Sequence, residues 1–481
     1  MYCKSPKAYS DFKGSGVLVL PSQRLLQYYK NSVKQSPGIN EEHLTWMEEE
    51  AKKNGIEGFG RHGGLLLDEM QIQDDLQIVR RGSDWSLVGA VDVGPLCNNI
   101  NILIKKKKSV QMATHVLQFV FHGLYGFRWP VAYFGTNPGL SHQIYFNFWK
   151  IVEALGDHDF IVDYVMLDGA STNRAFQTML LGTKPSLLRQ DLFQTTNIFD
   201  HHQISVCQDI KHVFKKLRNG LESSKLNFKS SKGRYLLLNS EHIIWEHWEG
   251  AFRFNVQNGL RVHYKLTTEH IELTAANKMR NKLATDVLDK NMLYLMQLYQ
   301  RSLPDGDSLN STIELLKITS PLVDLFHDTT RHVKSLHDER LTHVRQALKF
   351  FNGWEDQITS STQHPNQKHL LTRETRDDFN SSLVGFISVC ENLIPNGATI
   401  NPGYFNSDLV ENFFCQQRGV CHGLNNNPTL SQYGPAVNAV CIGQSTVSNK
   451  CNSGSKSHMF RATTPGPLRP SKKRKMCSKT N

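Results

Sequence analysis

Hydrophobic and polar positions change their period several times along the chain, and each change marks a different kind of element. Residues 1–62 read as a helical segment. The apolar run from Leu18 to Leu26 around Pro21 gives a short extended piece and a helix start. Asn40, followed by Glu41 and Glu42, has the cap and early acids of a helix N-terminus. From Gly63 the pattern turns to strands: Leu65 to Met70, Trp85 to Val93, His115 to Gly123 and Val131 to Gly135. Turn chemistry separates them at Arg81 to Asp84 and Gly126 to Pro130, which predicts an antiparallel meander. Ser141 then caps a predicted helix in which Ile144, Phe148, Ile151, Val152 and Leu155 recur at helical spacing, with Gly156 at the C-cap. Tyr164 to Leu167 lacks alternation, as expected of a strand covered on both faces. It delivers Asp168 to a loop of small polar residues, Gly169 to Asn173.

After Asp200 the pattern is mostly helical. One long helix is predicted from Glu269 to Tyr299, with further helices at Glu314 to Leu325 and Arg340 to Phe351. Ser407 is the candidate cap of a helix that carries Glu411, with Val410, Phe413, Phe414 and Gln417 along one face. Beyond Pro435 order is expected to fade. Antiparallel strands, then a helix, then a parallel strand, with acids at the tips of the first and fourth core strands, is the order of a ribonuclease H-like half. The predicted fold class is therefore α/β, a ribonuclease H-like core interrupted by a large, mostly helical insertion. Its expected parts are the helical segment 1–62, core 63–200, insertion 201–400, core 401–440 and a disordered basic tail 441–481.

Composition sharpens this picture in three ways. The 481 residues, 39% hydrophobic and 10% aromatic, suffice for two or three packed domains and exclude a disordered chain. The formal charge of +11 is concentrated at the end, where residues 450–481 hold nine Lys or Arg and no Asp or Glu, so net charge alone does not identify a nucleic-acid binder. The nine cysteines form no Cys-x-x-Cys pair and no disulfide framework, which fits a reducing compartment. No apolar run is long enough to span a bilayer, so a soluble protein without a membrane partner is expected.

Three carboxylates stand out as candidate chemistry: Asp68 in Leu65-Leu-Leu-Asp-Glu-Met70, Asp168, and Glu411. Carboxylates at strand tips can hold a pair of hard divalent ions that activate a nucleophilic oxygen and stabilise the leaving oxygen of a phosphodiester. Asp168 can equally serve as the cap of the following helix. His201 and His202, without Cys or carboxylate partners at ligand spacing, read as loop residues. Lys105 to Lys108 suit either a phosphate backbone or a solvated hairpin tip. Lys472, Lys473, Arg474 and Lys475, set among Pro, Gly and Ser, form a short basic nuclear-import signal and predict a nuclear protein.

These segments together resemble the P element transposases, a family often fused to a zinc-coordinating THAP DNA-binding domain. The resemblance runs through Leu67-Asp68-Glu69-Met70, Val88 to Gly94, Met112 to Gly123, Pro130 to Phe134 and Leu167-Asp168-Gly169. It continues in Lys265 to Thr274 with Lys278-Met279 and in Val410 to Gly419, and it covers about residues 5 to 440. It implies an Asp/Asp/Glu core that cleaves and joins DNA with Mg²⁺ or Mn²⁺. Asp68 is carried over as the first acid, Asp168 as the second and Glu411 as the third, and Asp92 is the alternative for the first. Asp68 is preferred because its strand would open the meander, whereas Val88 to Gly94 reads as a lengthened hairpin partner. The resemblance also implies DNA as partner; a homo-oligomer stands beside it as a candidate assembly, with the oligomeric state left open by the sequence. GTP binding by the insertion rests on it alone, since no Gly-x-x-x-x-Gly-Lys-Ser/Thr loop is present. Two departures stand out: no THAP-type zinc pattern precedes the core, and Phe199-Asp200-His201-His202 stands where the family more often has Phe-Asp-Pro-Pro-His. The missing zinc reader motivates the alternative of a domesticated or truncated derivative that binds DNA or protein without catalysis.

Overall fold

The computed structural model describes residues 2, 5–81, 84–91, 111–137, 141–183, 193–224, 233–257, 259, 261–360, 367–420 and 427–443. Asp92, Lys105 to Lys108 and the basic cluster Lys472, Lys473, Arg474 and Lys475 lie outside the described residues. The framework is a seven-stranded mixed sheet. Its members are β1 (Gly38–Ile39), β2 (His62–Gln71), β5 (His115–Gly123), β6 (Arg128–Thr136), β7 (Ile161–Leu167), β8 (Gln194–Thr196) and β9 (Gln203–Gln208). They lie in the order β1-β6-β5-β2-β7-β9-β8, and the strands that intervene in sequence, β3 (Gln77–Arg81) and β4 (Asp84–Val88), pair only with each other.

Within the sheet β2, β5 and β6 run antiparallel in turn, while β7 is parallel to β2 and β9 parallel to β7. This is the ribonuclease H arrangement expected from the sequence. The meander is corrected in one respect: β5 docks directly on β2, and β4, which begins the expected Trp85 to Val93 strand, pairs with β3 as a separate ribbon, while Ala90 bridges Met112 just ahead of β5. β7 is buried from Val162 to Leu167 and packs against two helices, Ser141–Asp157 and Arg373–Leu393, which accounts for its unbroken apolar run. Ser141 opens the first of these helices as a helical residue, and Gly156 sits inside its last turn, not at a C-cap.

Further along, the sheet continues beyond residue 200 through β9, whose alternating Ile204 and Val206 are fully buried. The long helix expected from Glu269 to Tyr299 is four shorter ones: Thr268–Ile271, Ala275–Lys278, Asn281–Asp286 and Lys290–Ser302. Thr274 and Asp289 accept backbone N–H bonds as N-caps and Thr267 forms a capping box, so these side chains restart the helix inside an otherwise amphipathic pattern. Helices Asn310–His327 and Glu339–Ser360 stand where expected. The chain stays ordered past Pro435 in helix Leu430–Gly443, because Tyr433, Val437 and Val440 are buried. Tyr433 also donates to Gln118 Oε1 at 2.9 Å. Cys207, Cys390, Cys415 and Cys441 are free thiols, and no described helix is long and apolar enough to cross a membrane.

The tight contact that sets the β2/β7 register is Gly64 against Tyr164. A Cβ at Gly64 would run into the Tyr164 ring, which is itself stacked on Phe405 at 4.5 Å between centroids. Gly64→Ala is therefore expected to lower stability by about 1–3 kcal/mol through overpacking. Gly156→Ala, which adds a methyl to open space in a helix, should raise it by about 0.5–1 kcal/mol. Urea denaturation midpoints of the two variants check both signs.

Candidate functional site

Register alone brings two of the carboxylates together. The last parallel pair of β2 and β7 is Leu66 with Met166, so two positions further along each strand stand Asp68 and Asp168. Neighbouring strands lie about 4.8 Å apart, so Asp168, just past the end of β7, stands beside Asp68, which lies inside β2 and not at its tip as expected, because β2 stays paired with β5 through Gln71. Asp68 Oδ1 accepts from the Glu69 N–H at 2.7 Å. Asp168 Oδ1 accepts from the Ala170 N–H at 2.9 Å and from Asn173 Nδ2 at 2.6 Å, ahead of helix Ser171–Leu181. The cap-like role and the strand-tip role of Asp168 thus coexist.

The third carboxylate arrives from far along the chain. Asp209, just after β9, caps helix Ile210–Glu222 by accepting from the Lys211 N–H at 2.7 Å. Its other oxygen accepts from the Ser407 N–H at 2.8 Å and the Ser407 hydroxyl at 2.5 Å. Beside this contact Lys211 Nζ donates to Asp408 Oδ2 at 2.5 Å. Two helix N-termini, those of Ile210–Glu222 and Asp408–Val420, are thereby joined, and Glu411 in the first turn of the second meets His212 Nε2 at 3.2 Å. Ser407 precedes its helix as expected and its carbonyl accepts from the Val410 N–H at 2.9 Å, while its hydroxyl is spent on Asp209.

The loop that carries Asp168 is held from below. Gly169 has φ +73°, a left-handed conformation, and Lys216 Nζ lies where a side chain would stand, so only glycine fits without displacement. Asp378, fully buried in helix Arg373–Leu393, accepts from Arg174 at 2.6 Å and from Lys216 at 2.8 Å. Arg174 in turn donates to the Gly169 carbonyl at 3.1 Å.

Electrostatically the site is a concentration of negative charge. Burial, with the added repulsion of Asp168 and Glu411, pushes the Asp68 carboxyl up to about 8. His212 is raised to about 9: burial opposes the charged form, and Asp209 and Glu411 outweigh it. Asp209 is held below its usual range, since the pull of His212 and the Ser407 donors exceeds the cost of burial.

The three sequence-predicted acids therefore share one neighbourhood. Hard carboxylate oxygens and the uncompensated charge felt by Asp68 fit a divalent cation. Among the described residues, no three His, Cys, Asp or Glu side chains stand close enough to enclose a metal ion, and Glu411 is engaged by His212. His201 and His202 do not belong to this site. His202 is tied to Asp200 at 2.6 Å and to the Val162 carbonyl at 2.9 Å, as loop residues would be. Sequence reading missed Arg174, Asp209, His212, Lys216 and Asp378. Only Asp209 had a local signal, an acid between a strand pattern and a helix start.

Residues 35–181 match the family model described as TNP-like, RNase H N-terminal domain. The chain carries that domain. The matched residues span β1 to β7 with Asp68, Asp168 and helix Ser171–Leu181, so two of the three acids lie within them. The whole chain is similar to a solved structure, the Drosophila P element transposase strand transfer complex. The match has a TM-score of 0.70 and 18% identity over 92% of this chain and 90% of that one. At that identity the likeness establishes the fold, and with the domain match it supports the resemblance to P element transposases. No curated protein matches the chain by sequence.

Asp68 and His212 both carry raised pKa values in the folded protein, so the folded state holds protons that the unfolded chain releases. The stability contributed by Asp68 is complete below about pH 4 and lost as pH rises through about 8. That of His212 is complete below about 6.5 and lost through about 9. In EDTA, unfolding free energy should therefore fall between pH 5 and 9, and Asp68→Asn should flatten the lower part of that fall. Denaturant titrations at a series of pH values measure this, and a slope unchanged in the variant would contradict the Asp68 assignment.

Proposed function

We propose that this protein is a P element-like transposase core that cleaves and joins DNA strands at the Asp68, Asp168 and Glu411 site. The observation that carries the reading is the convergence of these three acids, one inside β2, one just past the end of the parallel β7 and one across about 240 residues of sequence, into one electrostatic neighbourhood. A structure may be conserved without its chemistry. The reading therefore rests on the carboxylates and not on the fold alone. The resemblance of the chain to a transposase solved as a strand transfer complex supports DNA as its substrate.

Asp68, Asp168 and Glu411 would hold Mg²⁺ or Mn²⁺, and the bound ions supply an activated oxygen nucleophile and stabilise charge on the leaving oxygen. The chain's own residues do the rest. Asn173 and the Ala170 N–H orient Asp168, Asp209 and Ser407 set the helix that carries Glu411, and His212 holds the Glu411 carboxylate. The engagement of Glu411 by His212 also favours a second reading, a DNA-binding derivative without catalysis.

Incubation of the purified protein with duplexes carrying candidate element ends, in Mg²⁺ or Mn²⁺, separates the two. Cleavage that falls at least about a hundredfold in Asp168→Ala and Glu411→Gln, corresponding to several kcal/mol of lost charge stabilisation, is the result expected for the transposase. Equal product from wild type and variants, or binding with no product, would remove the catalytic reading.

A further inference from the structure

The cations around the site are almost all spoken for. Lys211 is paired with Asp408, His212 with Glu411, and both Lys216 and Arg174 with Asp378. Lys215 is the exception: among the described residues it forms no salt bridge within 4.0 Å, although it is half-buried. Residues three and four apart share a helix face. On helix Ile210–Glu222 that places Lys215 and Lys216 on the face of His212. One end of this face meets Glu411 through His212 at 3.2 Å, and the other approaches the Asp168 and Gly169 carbonyls through Lys216 at 3.5 and 3.4 Å. Lys215 stands one position before Lys216 on this face, and its ammonium feels the charges of Glu411, Asp209 and Asp168 with no hydrogen bond or ion pair to any of them among the described residues.

A half-buried ammonium that lacks a bonded carboxylate is costly unless an anion joins it. The site beside it has a matching need. Three carboxylates repel an incoming phosphodiester, and an ammonium on the rim is a compact point charge suited to a phosphate oxygen. We propose that Lys215 is a ligand for a backbone phosphate of DNA entering the site, placed by the same helix that holds Glu411 through His212. This inference rests on the DNA-processing reading for its substrate class and does not require that cleavage occur.

The test uses the full chain and a fluorescein-labelled random-sequence duplex. Binding is followed by anisotropy over a NaCl series in Ca²⁺, and cleavage of duplexes carrying candidate element ends is assayed separately in Mn²⁺. Lys215→Ala should bind more weakly, with a slope of log K against log salt smaller by about one, the signature of one lost phosphate contact. Lys215→Arg should restore the slope, because its charge can still reach a phosphate. Lys290→Ala, an exposed lysine paired with Asp324, should leave the slope unchanged. Thermal melts confirm that each variant is folded. If Lys215→Ala keeps the wild-type slope, or Lys290→Ala lowers it equally, the proposal is overturned. A wild type that binds without cutting, with the slope still reduced in Lys215→Ala, upholds Lys215 and removes only the catalytic reading. A wild type that cuts, with no change of slope in Lys215→Ala, removes Lys215 alone.

Discussion

The junction on which the site depends is the one between Asp209 and Ser407. A single buried carboxylate caps one helix with its first oxygen and takes both the backbone N–H and the hydroxyl of Ser407 with its second, across 198 residues of sequence. A buried carboxylate is tolerated only when its acceptors are filled, and here the donors are the ones that start two helices. The adjacent Lys211 and Asp408 pair repeats the connection with charges of opposite sign. Together with the packing of helix Asp408–Val420 on β2 and β5, whose Val410 and Phe413 are buried, this junction sets Glu411 near Asp68 and Asp168.

The strand tips are held by a second device of the same kind. Asp378 lies beyond most of the helical insertion, yet it gathers Arg174 and Lys216 beneath the loop of Asp168 and Gly169. Helix Arg373–Leu393 also lays Ser381 and Ser382 on the backbone carbonyls of Val206 and Gln208 at 2.8 and 2.7 Å. A helix late in the chain thus completes a sheet built early in it. The insertion leaves the core and returns to it, and the return segment carries polar groups whose partners are already in place on the sheet.

Charge in the site is unbalanced by design of the fold more than by composition. Burial, with the charges of Asp168 and Glu411, raises the proton affinity of Asp68, while the surrounding cations are distributed to Asp378, Asp408 and Glu411. The body of the protein is only slightly basic once the tail is set aside, so attraction of a polyanion depends on where single cations point and not on net charge.

The sequence by itself determined the elements whose period is clean and whose burial is simple. β2, β5, β6 and β7 were legible because apolar residues set their limits, and Asp68, Asp168 and Glu411 because each ends or begins such an element. Where local side chains compete with the pattern the reading failed, as when Thr274 and Asp289 made two of the three breaks that divide one apparent helix into four. Helix Arg373–Leu393 was missed because Arg376, Asp378, Ser381 and Ser382 are buried polar residues that blur its apolar stripe. Tertiary structure alone decided that Asp209 meets Ser407, that Asp378 meets Arg174 and Lys216, and that His212 meets Glu411. Such contacts join distant residues through hydrogen bonds that leave no periodic trace along the chain.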